Sequence, residues 1–286
     1  MYTEYLFLST NLKAKLPKLL EKHQWEVLLA LDISDLINFL KDTLYAPLLE
    51  GYSGILKILG NDLQLFSKTV RTPYWDLMLF EFMIHDIRND LFQISSKEKV
   101  EGYFDLPYKE FYKSLKKEII SKGLNIWQQI GGLDLLNLII DLEILKHSKE
   151  FSNKIENKRV KDFWVFKNKL YWIKIDIRLE KSASQIENLR KLGLDLNFYR
   201  VHFRDEDLQQ KVAEEVKIND YDLVMRKYLY LYIEKNFKPV VSGPEVVMYY
   251  FYNKLWDMED ILFLLENKKA KIPKEYWERG LLKINV

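Results

Sequence analysis

Apolar residues recur at intervals of three and four through most of this chain, and only 7 Pro and 10 Gly interrupt them. A pattern of that period has few solutions other than helices packed on helices. The stretch VVSGPEVVMYYFYNKLWDMEDI, Val240 to Ile261, states it most clearly. Val247, Phe251, Leu255, Met258, Leu262 and Leu265 form one stripe, with Asn253, Lys254, Asp257 and Asp260 across the helix from it. Ser242 and Glu245 have capping-box spacing, and Pro244 falls in the first turn, where its missing N–H does little harm. An earlier stretch, DISDLINFLKDTLYAPLLE from Asp32 to Glu50, predicts a short helix with Ile33, Leu36, Ile37 and Leu40 inward, ending near Pro47. The expected fold class is all-α.

The chain has 286 residues, and a compact fold of that length hides roughly 75% of its unfolded surface. Apolar residues at 48% and charged residues at 30% fit a folded globular protein. Lys and Arg total 44 against 42 for Asp and Glu, so the net charge of +2 gives no general attraction for nucleic acid or anionic lipid. With 0 Cys, disulfides, thiolate metal sites and cysteine nucleophiles are excluded. The opening MYTEYLFLST lacks the basic region of a secretory signal. The longest run without a charge, Gly123 to Leu133, is short of the roughly 18 to 20 apolar residues that a membrane helix needs. ISSKEKVEG and HSKEFSNKIENKRVKD read as solvated helix ends or connections.

The aromatic stripe has internal echoes: FMIHDIRND, WIKIDIRLE and WDMEDILFL. Aligning Asp86, Asp176 and Asp260 places an aromatic four residues earlier each time, at Phe82, Trp172 and Trp256. Ile87, Ile177 and Ile261 follow by one residue. Tyr45 and Tyr221 precede the first and last of these aspartates at nearly the same distance. The spacing suggests a threefold internal repeat within a single domain spanning 1–286, divided near 1–95, 96–190 and 191–286.

Residues with catalytic potential are sparse. His23, His85, His147 and His202 lie far apart, without the Glu-x-x-His or H-E-x-x-H spacing of a helical metal site. Asp205, Glu206 and Asp207 in RDEDLQQ invite comparison with Asp-rich Mg²⁺ motifs, but Gln209 and Gln210 occupy the next turn, where further carboxylates belong. A helix N-terminus favoured by the macrodipole accounts for the same charges. A Mg²⁺-dependent helical enzyme using Asp205 and Asp207 stays as one alternative. No Gly-rich phosphate loop is present, and the basic NKKAKIPK, Asn267 to Lys274, reads as a solvated connection. No catalytic, cofactor or metal site is expected. Tyr and Trp at helical spacing are core first, with a minority left to anchor a partner.

Three segments together resemble the C subunit family of the V/A-type ATPases, called subunit d in eukaryotic vacuolar ATPases. Near the N-terminus, the acidic and leucine-rich DISDLINFLKDTLYAPLLE carries Thr43 and Tyr45. GPEVVMYYFYNKLWDMEDI is similar to the C-terminal signature through Pro244, Glu245, Tyr249, Lys254, Glu259 and Ile261. NKKAKIPKEYWERGLL follows the family's ending through Lys268 or Lys269, Ile272, Pro273 and Glu275. Lys13 and Lys15 stand where the family has an Arg motif, and Ala270 or its neighbour replaces a glycine.

The resemblance implies three helical pseudo-repeats arranged as a funnel around a central cavity. It implies a non-enzymatic central-stalk subunit, without cofactors, at the cytoplasmic face of a membrane. Its partners would be the proteolipid subunits of the membrane rotor ring and the central shaft subunits, and its task torque transmission. The signature residues would be structural. The alternative is an all-helical adaptor unrelated to rotary ATPases.

Overall fold

The computed structural model describes residues 3–51, 53–70, 72–96, 110–130, 133–180, 183–191, 193–217 and 220–282. Among them every regular element is a helix, so the protein is all-α. The chain divides into two compact units, Met1–Arg71 with Glu215–Val286, and Thr72–Glu214.

The first unit begins with α1 (Thr3–Lys15), α2 (Lys22–Ala30), α3 (Ile33–Lys41) and α4 (Ser53–Thr69). α2 starts with a reciprocal capping box between Glu21 and Gln24. α3 starts where the Asp32 carboxylate accepts the Asp35 N–H at 2.8 Å, and Asp35 and Lys41 sit at the ends the helix dipole favours. Leu36 and Leu40 are fully buried.

α3 stops at Lys41, earlier than its sequence pattern predicts. The cause is Thr43, whose hydroxyl donates to the Leu40 carbonyl at 2.8 Å and accepts the Tyr45 N–H at 3.1 Å. A side chain that competes for backbone partners in this way turns the chain out of the helix. A 3-10 turn over Ala46–Glu50 follows, and α4 begins against it. A Cβ on Gly54 would lie 2.0 Å from the Pro47 carbonyl oxygen, so this approach admits only glycine.

The second unit holds α5 (Thr72–Ser96), α6 (Glu110–Ile130), α7 (Leu133–Ser152), α8 (Lys158–Glu180), α9 (Ala183–Lys191), α10 (Leu196–Phe203) and most of α11 (Glu206–Val216). α7 packs on α5, α6 and α8, and from Leu138 to Leu145 every side chain is buried. A helix covered all round needs its polar groups answered internally. Asp141 therefore accepts the Tyr171 hydroxyl at 2.6 Å and Arg178 at 2.9 Å, and Glu143 pairs with Lys122. Trp172 of α8 stacks on Tyr199 of α10, with centroids 5.8 Å apart and planes 9° from parallel.

The HSKEFSNKIENKRVKD segment is the end of α7, a short turn over 153–157 and the start of α8, and it is less solvated than its composition suggests. Phe151, Ile155, Asn157 and Val160 are buried, and the Asn157 N–H donates to the Tyr74 hydroxyl at 3.1 Å. Most of ISSKEKVEG lies outside the described residues.

The first unit is completed by α12 (Tyr221–Asn236), α13 (Pro244–Lys269) and α14 (Lys274–Trp277). α12 is capped by Asp220, whose carboxylate accepts the Asp222 N–H at 2.8 Å. α13 packs on α1, α3, α12 and the Ala46–Glu50 turn, and it is the centre of this unit. Its predicted Ser242–Glu245 capping box does not form. The N-cap is Gly243, at φ 130°, and its N–H donates to Ser9 Oγ at 3.2 Å. That φ is what calls for glycine, and a Cβ there, 2.7 Å from Glu245 Oε2, would also push the end of the Glu245 side chain aside.

Val247, Phe251, Leu255, Met258, Leu262 and Leu265 are all buried, as the stripe predicts. Burying such a side chain contributes about 1.5–3 kcal/mol. The opposite face is buried as well: Asn253, Lys254, Asp257 and Asp260 are all at or below 5% exposed. The three aromatic–Asp–Ile echoes fall on the three longest helices, α5, α8 and α13. Phe82, Trp172 and Trp256 are buried in all three, as are Ile87 and Ile261, while Ile177 is half-exposed.

Candidate functional site

The buried polar face of α13 is where the sequence motifs meet. Four successive polar groups on this helix each find a partner on another segment of the first unit.

Asp257 is the first. Its Oδ2 accepts the Tyr45 hydroxyl at 2.7 Å and the Leu20 N–H at 3.1 Å. One carboxylate thus ties the turn after α3 and the segment before α2 to the same helix. Burial, and then the Asp257 charge, push the Tyr45 pKa well above the usual phenol value, so the hydroxyl stays a donor.

Lys254 is the second. Its ammonium donates to Asp62 Oδ2 at 2.5 Å and to the Ile58 carbonyl at 3.1 Å, both on α4. Asp62 Oδ2 also accepts the Tyr250 hydroxyl at 2.9 Å, and its Oδ1 takes Lys15 of α1 at 2.8 Å. Three side chains from α1 and α13 share this one α4 carboxylate, which is 2% exposed. Burial raises the Asp62 pKa, but Lys254 and Lys15 outweigh it and hold it below the ordinary carboxylate value. For Lys254 burial prevails over the Asp62 charge, and its pKa falls below that of a free lysine.

Glu259 and Asp260 form the third group with Arg226 of α12. The guanidinium contacts Asp260 directly and lies 3.5 Å from Glu259. Desolvation works against its charge, yet the two carboxylates raise its pKa further. Tyr249 is the fourth, donating to Glu234 of α12 at 2.5 Å, and burial followed by Glu234 moves its pKa upward.

The residues that carry the resemblance divide by what they touch. Tyr45, Tyr249, Lys254 and Glu259 belong to these contacts, and Thr43 shapes the turn that presents Tyr45. Pro244 and Glu245 are buried at the start of α13, and Ile261 is fully buried beside the Arg226 pair. Of their partners, Asp62, Arg226 and Glu234 were not singled out in the sequence, while Asp257 was placed on the polar face of α13 and Lys15 in the N-terminal basic stretch without their contacts. The available signal was that Lys254 and Asp257 sit mid-helix between aromatic residues, where a solvated face would be richer in charge.

The remaining sequence candidates take structural roles. Asp205 caps α11 by accepting the Leu208 N–H at 3.1 Å and pairs with Lys169 at 2.9 Å. Those two bonds lower its pKa, the lysine foremost. Gln209 reaches back to Asp176 at 3.2 Å. His23 lies 3.4 Å from Glu21, His147 lies 3.3 Å from Glu150, and the His202 ring meets Phe198 edge-on at 4.7 Å. The His85 side chain lies outside the described residues. Among the described residues, no three His, Asp or Glu side chains form a group that could hold a metal ion.

NKKAKIPK is not a solvated connection throughout. Lys268 donates to the Leu29 carbonyl at 3.1 Å and to that of Leu31, answering the last carbonyls of α2 where the helix dipole favours a cation. Lys271 then takes φ 55°, the left-handed conformation that glycine holds most easily.

A half-open cleft of about 630 Å³ borders this polar face. Leu16, Pro17, Leu19 and Leu20 form one side, Tyr230, Leu231 and Glu234 the other, and Tyr249 and Asn253 also line it. Lys13, Lys22 and Lys238 line it as well.

No protein-family model matches the chain, and no curated protein is similar to it at a significant level.

Proposed function

We propose that the chain is a non-catalytic central-stalk subunit of a V/A-type rotary ATPase, coupling the soluble shaft to the membrane rotor ring. One observation carries the proposal: the separated segments that resemble that family fold onto one another. Tyr45 of the N-terminal segment meets Asp257, within the C-terminal segment, and α3 and the Ala46–Glu50 turn of the former both pack on α13 of the latter. Motifs that merely coincided in composition would have no reason to converge. In this reading the signature residues weld the first unit together, and the three echo-bearing helices belong to pseudo-repeats of a funnel.

The task is to pass torque, so stiffness is the physical requirement. A buried ion network inside a densely aromatic core opposes local opening. No helix among the described residues is long and apolar enough to cross a membrane, so contact with the ring would be made from outside the bilayer. Its partners would be the proteolipid subunits of the ring and the subunits of the shaft, at the cytoplasmic face of the membrane. Affinity purification of the tagged chain from native membranes in mild detergent tests this. Recovery of a proteolipid ring with shaft and ATPase subunits is the expected result. Recovery alone, while a control rotary complex stays intact, would overturn it in favour of an adaptor.

A further inference from the structure

We propose that the cleft beside α13 is a binding site for an organic monoanion with an extended apolar body, of which a medium-chain carboxylate is the simplest form. The inference stands apart from the rotary assignment, because it rests on the cleft alone. A volume of about 630 Å³ lies within the range of about 300–1,000 Å³ typical of small-molecule sites. Its walls are mainly apolar: Leu16, Pro17, Leu19 and Leu20 precede and enter the α2 cap, and Leu231 faces them from α12. Leu231 is 49% exposed, an apolar side chain that an apolar ligand would cover.

The charge on the lining selects the ligand's head. Lys13, Lys22 and Lys238 line the cleft with only Glu21 and Glu234 as acids. Glu234 is already committed, accepting the Tyr249 hydroxyl at 2.5 Å and Lys238 at 2.7 Å. Glu21 holds its carboxylate mostly in solvent, at 69% side-chain exposure, and serves the α2 cap. The lining is therefore positive by one formal charge, three lysines against two glutamates. A singly charged anion balances that excess. A cation is repelled, and a multiply charged phosphate meets the two carboxylates.

The test is isothermal titration of the full chain with decanoate below its micelle concentration, with decyltrimethylammonium as the matched cation and acetate as the head group alone. The expected result is saturable decanoate binding at one site, with neither control binding. In methyl-labelled protein, the resonances of Leu19, Leu20 and Leu231 should shift together. The Lys13→Glu/Lys22→Glu variant changes only lining lysines that leave the core untouched, and it should weaken decanoate by about tenfold or more. Leu231→Trp, which fills the cleft from its exposed side, should weaken it independently. Equal binding of the cation, shifts confined to other leucines, affinity unchanged in both variants, or no saturable binding would each overturn the proposal. Because the readout needs no partner complex, its failure leaves the rotary assignment standing, and the reverse also holds.

Discussion

Replacing Asp62 with Asn tests the centre of the first unit. The Asp62 side chain takes three donors, Lys15, Lys254 and Tyr250, on two oxygens. Asn keeps the shape but offers one oxygen and no charge. The Lys254 ammonium, 6% exposed at its side chain, would then be buried without its counter-charge. Breaking a buried pair from one side costs about 3–5 kcal/mol. With a urea slope of about 1–3 kcal/mol per molar, the unfolding midpoint should fall by about 1–5 M. Lys254→Met should cost less than half as much, because Asp62 keeps Lys15 and Tyr250 and a similar apolar stem fills the space. Urea titration followed by circular dichroism measures both. The reasoning also fixes a pH dependence. The Asp62 pKa is lower folded than unfolded, so its contribution is complete above the unfolded value near 3.9 and is lost as pH falls through the folded value. Lys254 is the opposite case: its lowered pKa makes its charged form a cost to folding, relieved as pH rises through that value. Asp62→Asn should therefore flatten the acid limb of the stability profile. An Asp62→Asn protein within about 0.5 kcal/mol of the parent, with an unchanged acid limb, would refute the argument.

Tyr45→Phe removes one of the two donors seen on Asp257 Oδ2, and should lower the urea midpoint by the equivalent of about 1–3 kcal/mol. Gly243→Ala forces an L-residue into φ 130° and a methyl against the Glu245 carboxylate, so a loss of about 1–3 kcal/mol is expected as a fall in the thermal midpoint. Lys271→Gly should act in the other direction, relieving a left-handed residue after α13, with a gain of up to about 1 kcal/mol in the same measurement.

The helical class was legible because it depends on local spacing, and the α13 stripe from Val247 to Leu265 is buried where its period places it. Local competition between side chain and backbone was less legible. Nothing in the apolar pattern says that the Thr43 hydroxyl would end α3 at Lys41, or that Gly243 would displace Ser242 as the cap of α13. Least legible were the partners of the buried charges. Lys254 and Asp62 are 192 residues apart, and Tyr45 and Asp257 are 212 apart, so each looks like an ordinary surface residue until the helices are assembled. The resemblance drew attention to Tyr45 and Lys254; periodicity put Asp257 on the face across from the stripe, but nothing in the pattern marked Asp62. The cleft was invisible for the same reason, since its lining comes from the segment before α2 and from two helices near the other end of the chain.

The order of the two units along the chain bears on how the protein is made. The second unit is continuous, Thr72–Glu214, whereas the first is split around it. On a ribosome the second unit has all of its sequence before α12 and α13 emerge. α1 to α4 must wait, with the α3 face of Leu36 and Leu40 lacking α13 and the Asp62 carboxylate lacking Lys254. Closure then depends on contacts of very long range, which are slow to find and leave apolar surface open to association in the meantime. Stalled nascent chains ending near residue 255, with the second unit clear of the exit tunnel and α13 still inside it, should show protease resistance across the second unit and cleavage within α1 to α4. Protection of both regions at that length would mean that the early helices find shelter without their central helix. Synthesis of α12 and α13 is thus the step at which a cell either captures this unit folded or hands it to its chaperones.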